Sequence, residues 1–531
     1  MPNDKKTPFI LAILDGWGFS NKKIGNPIAT ANKPTIDMLA RLYPMTLLQA
    51  SGLAVGMTWG ESGNSEVGHL NIGAGRIVEQ YLSRINRAIK DGTFFTNEAL
   101  AGAFDSAQKN NSRIHLIGLL TSGTAHSDFS HIIALLELAK QKGYPEVYLH
   151  IFSDGKDSGL QESPELLEKL NAEIRTSGIV KIATLIGRNF AMDRDNNWKL
   201  TKGAYELLVS AAGERSDDLI ATVRKHHSSG RNDSNMSAIV VNNSGFTGIS
   251  DNDSLIFFNF REDSMRQIVR PFVELNFSLL PVKVFKNIYV CTMTNYLELP
   301  VGSLKVHIGF APPTIVNGLA EVLEINGKKQ LHVAETEKYA HTTYFFNGLR
   351  SDKYAGEIDI AIESNKDHVH NPEMKSQEIA QKVIDEIDGG IYDIIVLNFA
   401  NADILAHTGN YDAVVKGVEA IDSALGAIYN SAIIQKDGIM LVTADHGNAE
   451  SLVYRSSGEA ETRHDDNPVP FYLVGRQFQI DKTPEKIAQE TSEISGMLSD
   501  IAPTVLELLG IPQPEEMSGK SLLGILTGQN S

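Results

Sequence analysis

Three apolar runs in this chain each end in an aspartate: PFILAIL before Asp15, DIIVLNFANA before Asp403 and GIMLVTA before Asp445. In open α/β sheets ligands sit beyond the carboxyl ends of parallel strands, so three carboxylates far apart in sequence can converge on one rim. Histidines accompany them. His407 follows Asp403 by four residues, the spacing that puts two side chains on one helical face, and His446 adjoins Asp445. His464, in RHDDNPVPF, precedes a further strand-like run and completes a possible set with Asp403 and His407. Carboxylate oxygen and imidazole nitrogen offered together at two places form a two-metal pattern, which suits phosphoryl chemistry.

A nucleophile for such chemistry lies in GESGNSEVGHLNIGAGR, residues 60–76. The segment is glycine-dense and polar, and it places Ser65 near a helix start, where free backbone amides favour an incoming phosphate. A serine hydroxyl is a poor nucleophile near neutral pH, and coordination to a divalent cation would activate it. In isolation Asn64 or Ser65 reads as a helix cap. The neighbouring metal-type residues turn the reading toward catalysis.

The elements that must position these residues are those of an α/β protein, because β-rich apolar runs alternate with amphipathic, helix-like stretches almost from end to end. With 531 residues, two domains are expected. Strand candidates RIHLIGLL, VYLHIFS, VKIATLIG, SLIFFNF and KNIYVCTM form a self-sufficient series between about residues 80 and 312, and the metal-type residues avoid it. An inserted domain is therefore placed at 80–312, with hinges near Gln80 and near Pro312 and Pro313. Residues 1–79 and 313–531 make a discontinuous metal-binding domain. One helix in the insert has a legible start, with Ser163 as N-cap and Pro164 at the first helical position.

Several charged residues of the insert also follow strand candidates: His126, Asp157, Arg188 and Arg261, with Arg194 close behind. Guanidinium groups are natural bidentate partners of carboxylate and phosphate oxygens. Net charge is −17, which disfavours nucleic acid or an anionic membrane as partner. Residues 8–14 are too short an apolar stretch for a signal sequence, and no run reaches membrane-spanning length. The single cysteine, Cys291, has no intrachain disulfide partner and reads as a buried strand residue in a reduced, cytoplasmic protein. MSGKS at 517–521 ends like a P-loop, but Pro514 stands where the first glycine is required, so it reads as a turn and helix start.

GNSEVGHLNIGAGR, ETEKYAH, NFANADILAHTG, VTADHGNAE and HDDNPVPF, in this order, closely resemble the cofactor-independent phosphoglycerate mutases of the alkaline phosphatase superfamily. The similarity runs from LDGWG at Asp15 nearly to the end. The resemblance implies an alkaline-phosphatase-like phosphatase domain with an inserted phosphotransferase domain. It implies one metal on Asp403, His407 and His464 and another on Asp15, Ser65, Asp445 and His446, with manganese common in the family. His126, Lys156, Asp157, Arg188, Arg194 and Arg261 match substrate-binding residues, and Lys338 matches a lysine close to the reacting phosphate.

The implied reaction interconverts 3-phosphoglycerate and 2-phosphoglycerate in glycolysis and gluconeogenesis, without 2,3-bisphosphoglycerate. Ser65 takes the phosphate as phosphoserine, the glycerate reorients, and its other hydroxyl takes the phosphate back. Asp157 is the candidate for proton transfer at the glycerate hydroxyls. Water must be excluded, which closure of two domains would achieve. A monomer is expected from the family.

The chain departs from the family pattern around substrate. Lys156 and Ser264 stand where arginines are usual, Asp128 where a second histidine is usual, and two aspartates follow His464 in place of threonines. Serine removes a charge that lysine keeps. Metal binding is expected to be retained while phosphoglycerate affinity changes. The competing readings are a metal-dependent phosphatase, a phosphomutase acting on another small phosphorylated acid, and a non-catalytic protein that keeps the fold.

Overall fold

The structure is a computed structural model that describes residues 6–298, 300, 302–453 and 459–528. The chain divides into two compact units, Met1–Glu79 with Pro313–Ser531 and Gln80–Pro312. In chain order the strands are β1 (Phe9–Leu14), β2 (Met45–Gln49), β3 (Ile114–Leu120), β4 (Val147–Ser153), β5 (Val180–Gly187), β6 (Glu214–Ser216), β7 (Ile239–Val241) and β8 (Ser254–Phe257). There follow β9 (Tyr289–Thr292), β10 (Val306–Ile308), β11 (Gln330–Glu335), β12 (Glu357–Ile362), β13 (Ile394–Phe399), β14 (Ile439–Thr443), β15 (Val469–Val474) and β16 (Ile494–Met497).

The discontinuous unit holds an eight-stranded sheet in the order β12-β11-β13-β1-β14-β15-β2-β16. From β12 to β14 every pairing is parallel, and β15 runs antiparallel to both of its neighbours. All residues of β1, β11, β13 and β15 are buried. This is why β1 and β13 read as near-continuous apolar runs rather than alternating ones: both faces of a parallel sheet are covered. Leu11 and Ile13 of β1 are fully buried, and truncating either to alanine would cost about 2–5 kcal/mol.

The inserted unit holds a second eight-stranded sheet in the order β10-β9-β8-β3-β4-β5-β7-β6, parallel except where β5 meets β7. Alternate residues of β3 feed opposite faces, because successive strand side chains point to opposite sides. Ile114, Leu116 and Leu120 enter one apolar layer, while Ile117 and Leu119 enter the other. Cys291 is buried on β9.

One expected helix start is corrected. The helix is Ser163–Ser177, its N-cap is Glu162 with no side-chain capping bond, and Ser163 is already helical. The reason is tertiary: Oδ2 of Asp233, from a distant loop, accepts the Ser163 N–H at 2.8 Å and does the work of a cap. Met517 closes a turn onto Pro514, and a short helix begins at Leu523. Among the described residues no helix is long and apolar enough to cross a membrane.

Candidate active site

In the discontinuous unit β1 lies between β13 and β14, with Ile13 level with Asn398 on one side and Thr443 on the other. The residues just beyond these strands therefore leave the sheet at one rim. Asp15 donates its N–H to the Phe399 carbonyl at 3.0 Å, and Asp403 donates its N–H to the Asp15 carbonyl at 3.1 Å. Asp403 opens the helix Asn401–Ala406, and His407 caps its end, so the four-residue spacing does bring both to one face. Gly16 has φ +71°, and a Cβ there would sit 2.7 Å from the Asp403 Cβ. Only glycine lets these two loops meet.

The fourth loop ends in the helix Ser65–Ala74. Asn64 is its N-cap, with Oδ1 accepting the Val67 N–H at 2.9 Å, and Ser65 is the first helical residue. Gly68, one turn on, faces Asp445 so closely that a Cβ would lie 2.5 Å from the Asp445 carbonyl oxygen. Local capping and one missing side chain thus carry the serine hydroxyl to the rim.

Ser65 Oγ donates to Asp15 Oδ1 at 3.0 Å and lies 3.0 Å from His446 Nε2. The Lys338 ammonium donates to Ser65 Oγ and Asp15 Oδ1, each at 2.6 Å, and to Asp403 Oδ2 at 2.7 Å. On the other side of Asp403, its Oδ1 is 3.2 Å from His464 Nε2, 3.3 Å from His407 Nε2 and 3.9 Å from His446 Nε2. The His407 and His464 Nε2 atoms are 3.0 Å apart. All eight residues named for this site, Asp15, Ser65, Lys338, Asp403, His407, Asp445, His446 and His464, therefore come together.

The tautomers of the three imidazoles follow from their partners. Nδ1 faces a backbone carbonyl in each: Thr462 for His407 at 2.8 Å, Gly63 for His464 at 2.8 Å and Gly447 for His446 at 3.2 Å. A carbonyl can only accept, so Nδ1 carries a proton in each ring, and Nε2 is the nitrogen turned toward the carboxylates.

Charge is unbalanced here. Burial raises the cost of ionising Asp15 and Asp403, yet Lys338 and the histidines hold both well below the usual carboxylate range. Burial likewise opposes a charge on His446, but Asp445, Asp15 and Asp403 push it up to about 10. The hydrogen bond to Asp403 raises His407. Asp445 Oδ2 is buried and accepts no hydrogen bond. Carboxylates and converging lone pairs that recruit protons this strongly form a donor set suited to divalent cations, which would displace those protons. Two donor groups stand close enough to share ions, Asp403 with His446 and His464, and Asp15 with His69 and Asp445.

The sequence reading missed several residues that brace this site. Asn398 Nδ2 donates to Asp15 Oδ2 at 2.8 Å and to His69 Nε2 at 3.1 Å, which leaves His69 Nδ1 to donate to the Ser65 carbonyl at 2.9 Å. Asn448 Nδ2 donates to Asp403 Oδ1 at 2.8 Å. Glu450 accepts the Gly18 N–H at 2.9 Å and the Asn448 N–H at 3.0 Å. Burial and the nearby Asp465, one of the two aspartates after His464, raise Glu450 well above its usual range. Asn398 had a readable signal, a polar residue in the apolar run IIVLNF. His69 had one as well, four residues after Ser65 on the same helix.

The inserted unit has its own polar rim beyond β8, β3, β4 and β5, which are adjacent and parallel. Arg188 is buried and donates from Nη1 to Asp154 Oδ1 at 2.5 Å and to Asp157 Oδ2 at 2.6 Å. His126 Nε2 lies 3.8 Å from Asp157 Oδ2, and its Nδ1 is 3.1 Å from Ser264 Oγ. Arg194 and Arg261 both pair with Asp263, at 2.5 and 3.4 Å. Lys156 contributes its backbone N–H, which donates to Asp154 Oδ1 at 3.2 Å, while its side chain is exposed. Arg266 turns away from this group and donates to the Tyr296 carbonyl. Asp154 and Asp263 were not foreseen. Asp128 has a local role as N-cap of the helix Phe129–Gln141, accepting the Ser130 N–H at 2.8 Å.

Comparison with known proteins gives the family of the chain. Residues 7–513 match the model of the metalloenzyme superfamily. A 2,3-bisphosphoglycerate-independent phosphoglycerate mutase of Clostridioides difficile is 41% identical over 98% of this chain and 99% of its own length. Mutase 1 of Methanosarcina barkeri is 43% identical over 98% of each chain. A solved structure of the Leishmania mexicana phosphoglycerate mutase, at low cobalt concentration, is 27% identical with a TM-score of 0.65 and 98% of each chain covered. The chain belongs to the metalloenzyme superfamily and, within it, to the 2,3-bisphosphoglycerate-independent phosphoglycerate mutases.

Proposed function

We propose that this protein interconverts 3-phosphoglycerate and 2-phosphoglycerate through a phosphoserine on Ser65, using two divalent ions, with manganese as the natural metal. The observation that carries the reading is the placement of Ser65 Oγ at a helix start, in contact with Asp15, His446 and the Lys338 ammonium. Asp403, His407 and His464 would hold one ion and Asp15, Ser65, Asp445 and His446 the other. When bound, the ions lower the pKa of the serine hydroxyl and share the charge of the transferring phosphoryl group.

The chain's own residues do the rest. Asp15 orients the hydroxyl. Ser65 Oγ, its proton lost to solvent, attacks phosphorus in line and forms the phosphoserine as the bond to the glycerate oxygen breaks and that oxygen takes up a proton. The other glycerate hydroxyl, deprotonated in turn, then attacks the phosphoserine, takes the phosphate and restores Ser65. Lys338 supplies a fixed positive charge beside Ser65 Oγ, stabilising negative charge on the transferring group without reorganisation. In the inserted unit, Arg188, Arg194, Arg261, Lys156 and His126 would bind phosphoglycerate, whose oxygens exchange with Asp154, Asp157 and Asp263 as partners of the guanidinium groups. Freed from Arg188, Asp157 is the group that moves a proton at the glycerate hydroxyls. The protein is proposed to act as a cytoplasmic monomer.

The test is to strip the protein of metal, reload it with manganese and supply 3-phosphoglycerate without 2,3-bisphosphoglycerate, following 2-phosphoglycerate and free phosphate together. Isomer without phosphate, abolished by chelation and restored by manganese, is the expected result. Net phosphate release would make the protein a phosphatase, and full activity after exhaustive chelation would end the mechanism.

A further inference from the structure

The discontinuous unit carries a second group of metal-type donors that the reaction above does not use. At the outer edge of its sheet β11 pairs with β12, with Gln330 opposite Glu357 and His332 opposite Asp359. His332 Nδ1 lies 3.6 Å from Glu357 Oε1 and 3.9 Å from Asp359 Oδ1, and at most 2% of any of these three side chains is exposed. One donor atom from each residue falls within 4.8 Å of the others.

The proton on His332 can be located. Gln330 Nε2 donates to the Ala320 carbonyl at 2.9 Å, which leaves Gln330 Oε1 as an acceptor 3.3 Å from His332 Nε2. Nε2 therefore carries the hydrogen and Nδ1 is a bare lone pair. That Nδ1 has no hydrogen-bond partner, nor has Asp359 Oδ1, and the nearby Asn347 Oδ1 is also buried without one. The ring is held edge-on by Phe346, with centroids 5.3 Å apart, and the Thr342 backbone lies beside it. His332 Nδ1 and Asp359 Oδ1 are thus buried 3.9 Å apart, each without a hydrogen bond. Such an arrangement is costly unless a cation fills it.

Both carboxylates are already anchored by other partners, as ligating carboxylates usually are. Glu357 Oε2 accepts the Tyr354 N–H at 2.9 Å, and Oε1 accepts from Asn347 Nδ2 at 2.7 Å. Asp359 Oδ2 pairs with the half-exposed Lys353 at 3.0 Å and accepts from Tyr339 Oη at 3.4 Å. An ion with bonds of about 2.1 Å in tetrahedral geometry sets its ligand atoms about 3.4 Å apart, so small inward rotations would close the site.

We propose that His332, Glu357 and Asp359 bind a divalent transition-metal ion of the zinc or manganese type, separate from the active site, as a structural staple of the sheet edge. One imidazole and two carboxylates make a mixed donor set for such ions, and the remaining position is open to Asn347 or water. The staple fastens the edge strand β12 to β11. Lys338 follows the end of β11 at Glu335 by three residues, so the same ion steadies the strand that delivers the active-site ammonium.

The experiment uses the full chain carrying Asp403→Asn, Asp445→Asn and His446→Gln, which disables the active-site donors. Equilibrium dialysis against zinc, with bound metal counted by mass spectrometry, should leave one zinc per chain and raise the melting temperature. Adding His332→Gln and Asp359→Asn should abolish both effects. Failure of the background protein to hold zinc, or zinc binding undiminished by the added substitutions, would overturn the proposal. Should those proteins fail to fold, Asp359→Asn alone in the otherwise unaltered chain decides: the metal count falls by one ion per chain if the site exists and is unchanged if it does not.

Discussion

The Lys338 ammonium and the Ser65 hydroxyl are hydrogen-bonded at 2.6 Å, both buried and both in contact with the same oxygen of Asp15. A lysine held between two carboxylates is kept charged: although burial disfavours its ammonium, Asp15 and Asp403 raise its pKa further. Ser65→Ala should abolish turnover and the acid-stable label left by radioactive phosphoglycerate, with the melting temperature little changed. Lys338→Met should lower kcat by about 100-fold or more, as for loss of one preorganised donor. In metal-free protein it should also cost about 3–5 kcal/mol of stability, because Asp15 and Asp403 lose their shared counter-ion. Denaturation with and without manganese, alongside kinetics, checks both effects. Normal turnover by either variant would remove that residue from the mechanism.

Gly68 gives a test of positioning that touches no reacting group. Its missing side chain lets the Ser65–Ala74 helix press on Asp445, and an added Cβ would sit 2.7 Å from the Asp445 Cβ as well as 2.5 Å from its carbonyl oxygen. Gly68→Ala should therefore push Ser65 and Asp445 apart, with an overpacking cost of about 1–3 kcal/mol. Manganese affinity should fall together with kcat. Unaltered manganese affinity, measured by titration calorimetry on folded protein, would show that the helix tolerates the methyl group without moving Asp445.

The strand ends were readable because chemistry interrupts pattern there: Asp15 and Asp445 cut off runs that are otherwise wholly apolar, and Asp403 follows a third after a short polar step. Parallel pairing of β13, β1 and β14 then brings them together without further information. What was not readable depends on contacts between distant segments. Asp233 caps the Ser163 helix from 70 positions away, so local capping rules misplaced its start. Asp154 lies next to a buried strand like many structural aspartates, and its role shows only when Arg188 reaches it from the end of β5. Asp263 has Arg261 two residues before it, but its second partner, Arg194, reaches it from a distant segment. Asp128, which reads as a departure in the substrate rim, has a plain local role as a helix cap.

Ser264, where an arginine is usual in the family, is buried and holds Nδ1 of His126 at 3.1 Å. On the proposed function its contribution would be to orient the His126 imidazole rather than to supply charge. Ser264→Ala leaves that nitrogen unpartnered, a loss of about 1 kcal/mol or roughly 5-fold in binding. The KM for 3-phosphoglycerate should rise by this factor while kcat stays within about twofold. A fall in kcat with KM unchanged would instead place Ser264 in the chemical step.

His126 is one of several histidines in the inserted unit whose burial resists protonation. Burial, then the adjacent Arg188, lowers its pKa to about 4, with Arg261 adding to the shift while Asp157 and Asp263 oppose it. The folded ring therefore stays neutral where an unfolded histidine, near 6.5, takes up a proton. Because the unfolded state binds protons more readily, this contribution to stability is fully present above about pH 6.5 and is lost as pH falls toward 4. His126→Gln removes the titration, so the melting temperature of the variant should decline less steeply than that of the unmodified protein between pH 7 and pH 4.5. Nuclear magnetic resonance of the His126 ring should give a midpoint near 4. A midpoint at or above 6.5 would mean that the ring is charged beside Asp157, and that phosphoglycerate meets an imidazolium rather than the neutral hydrogen-bonding ring described here.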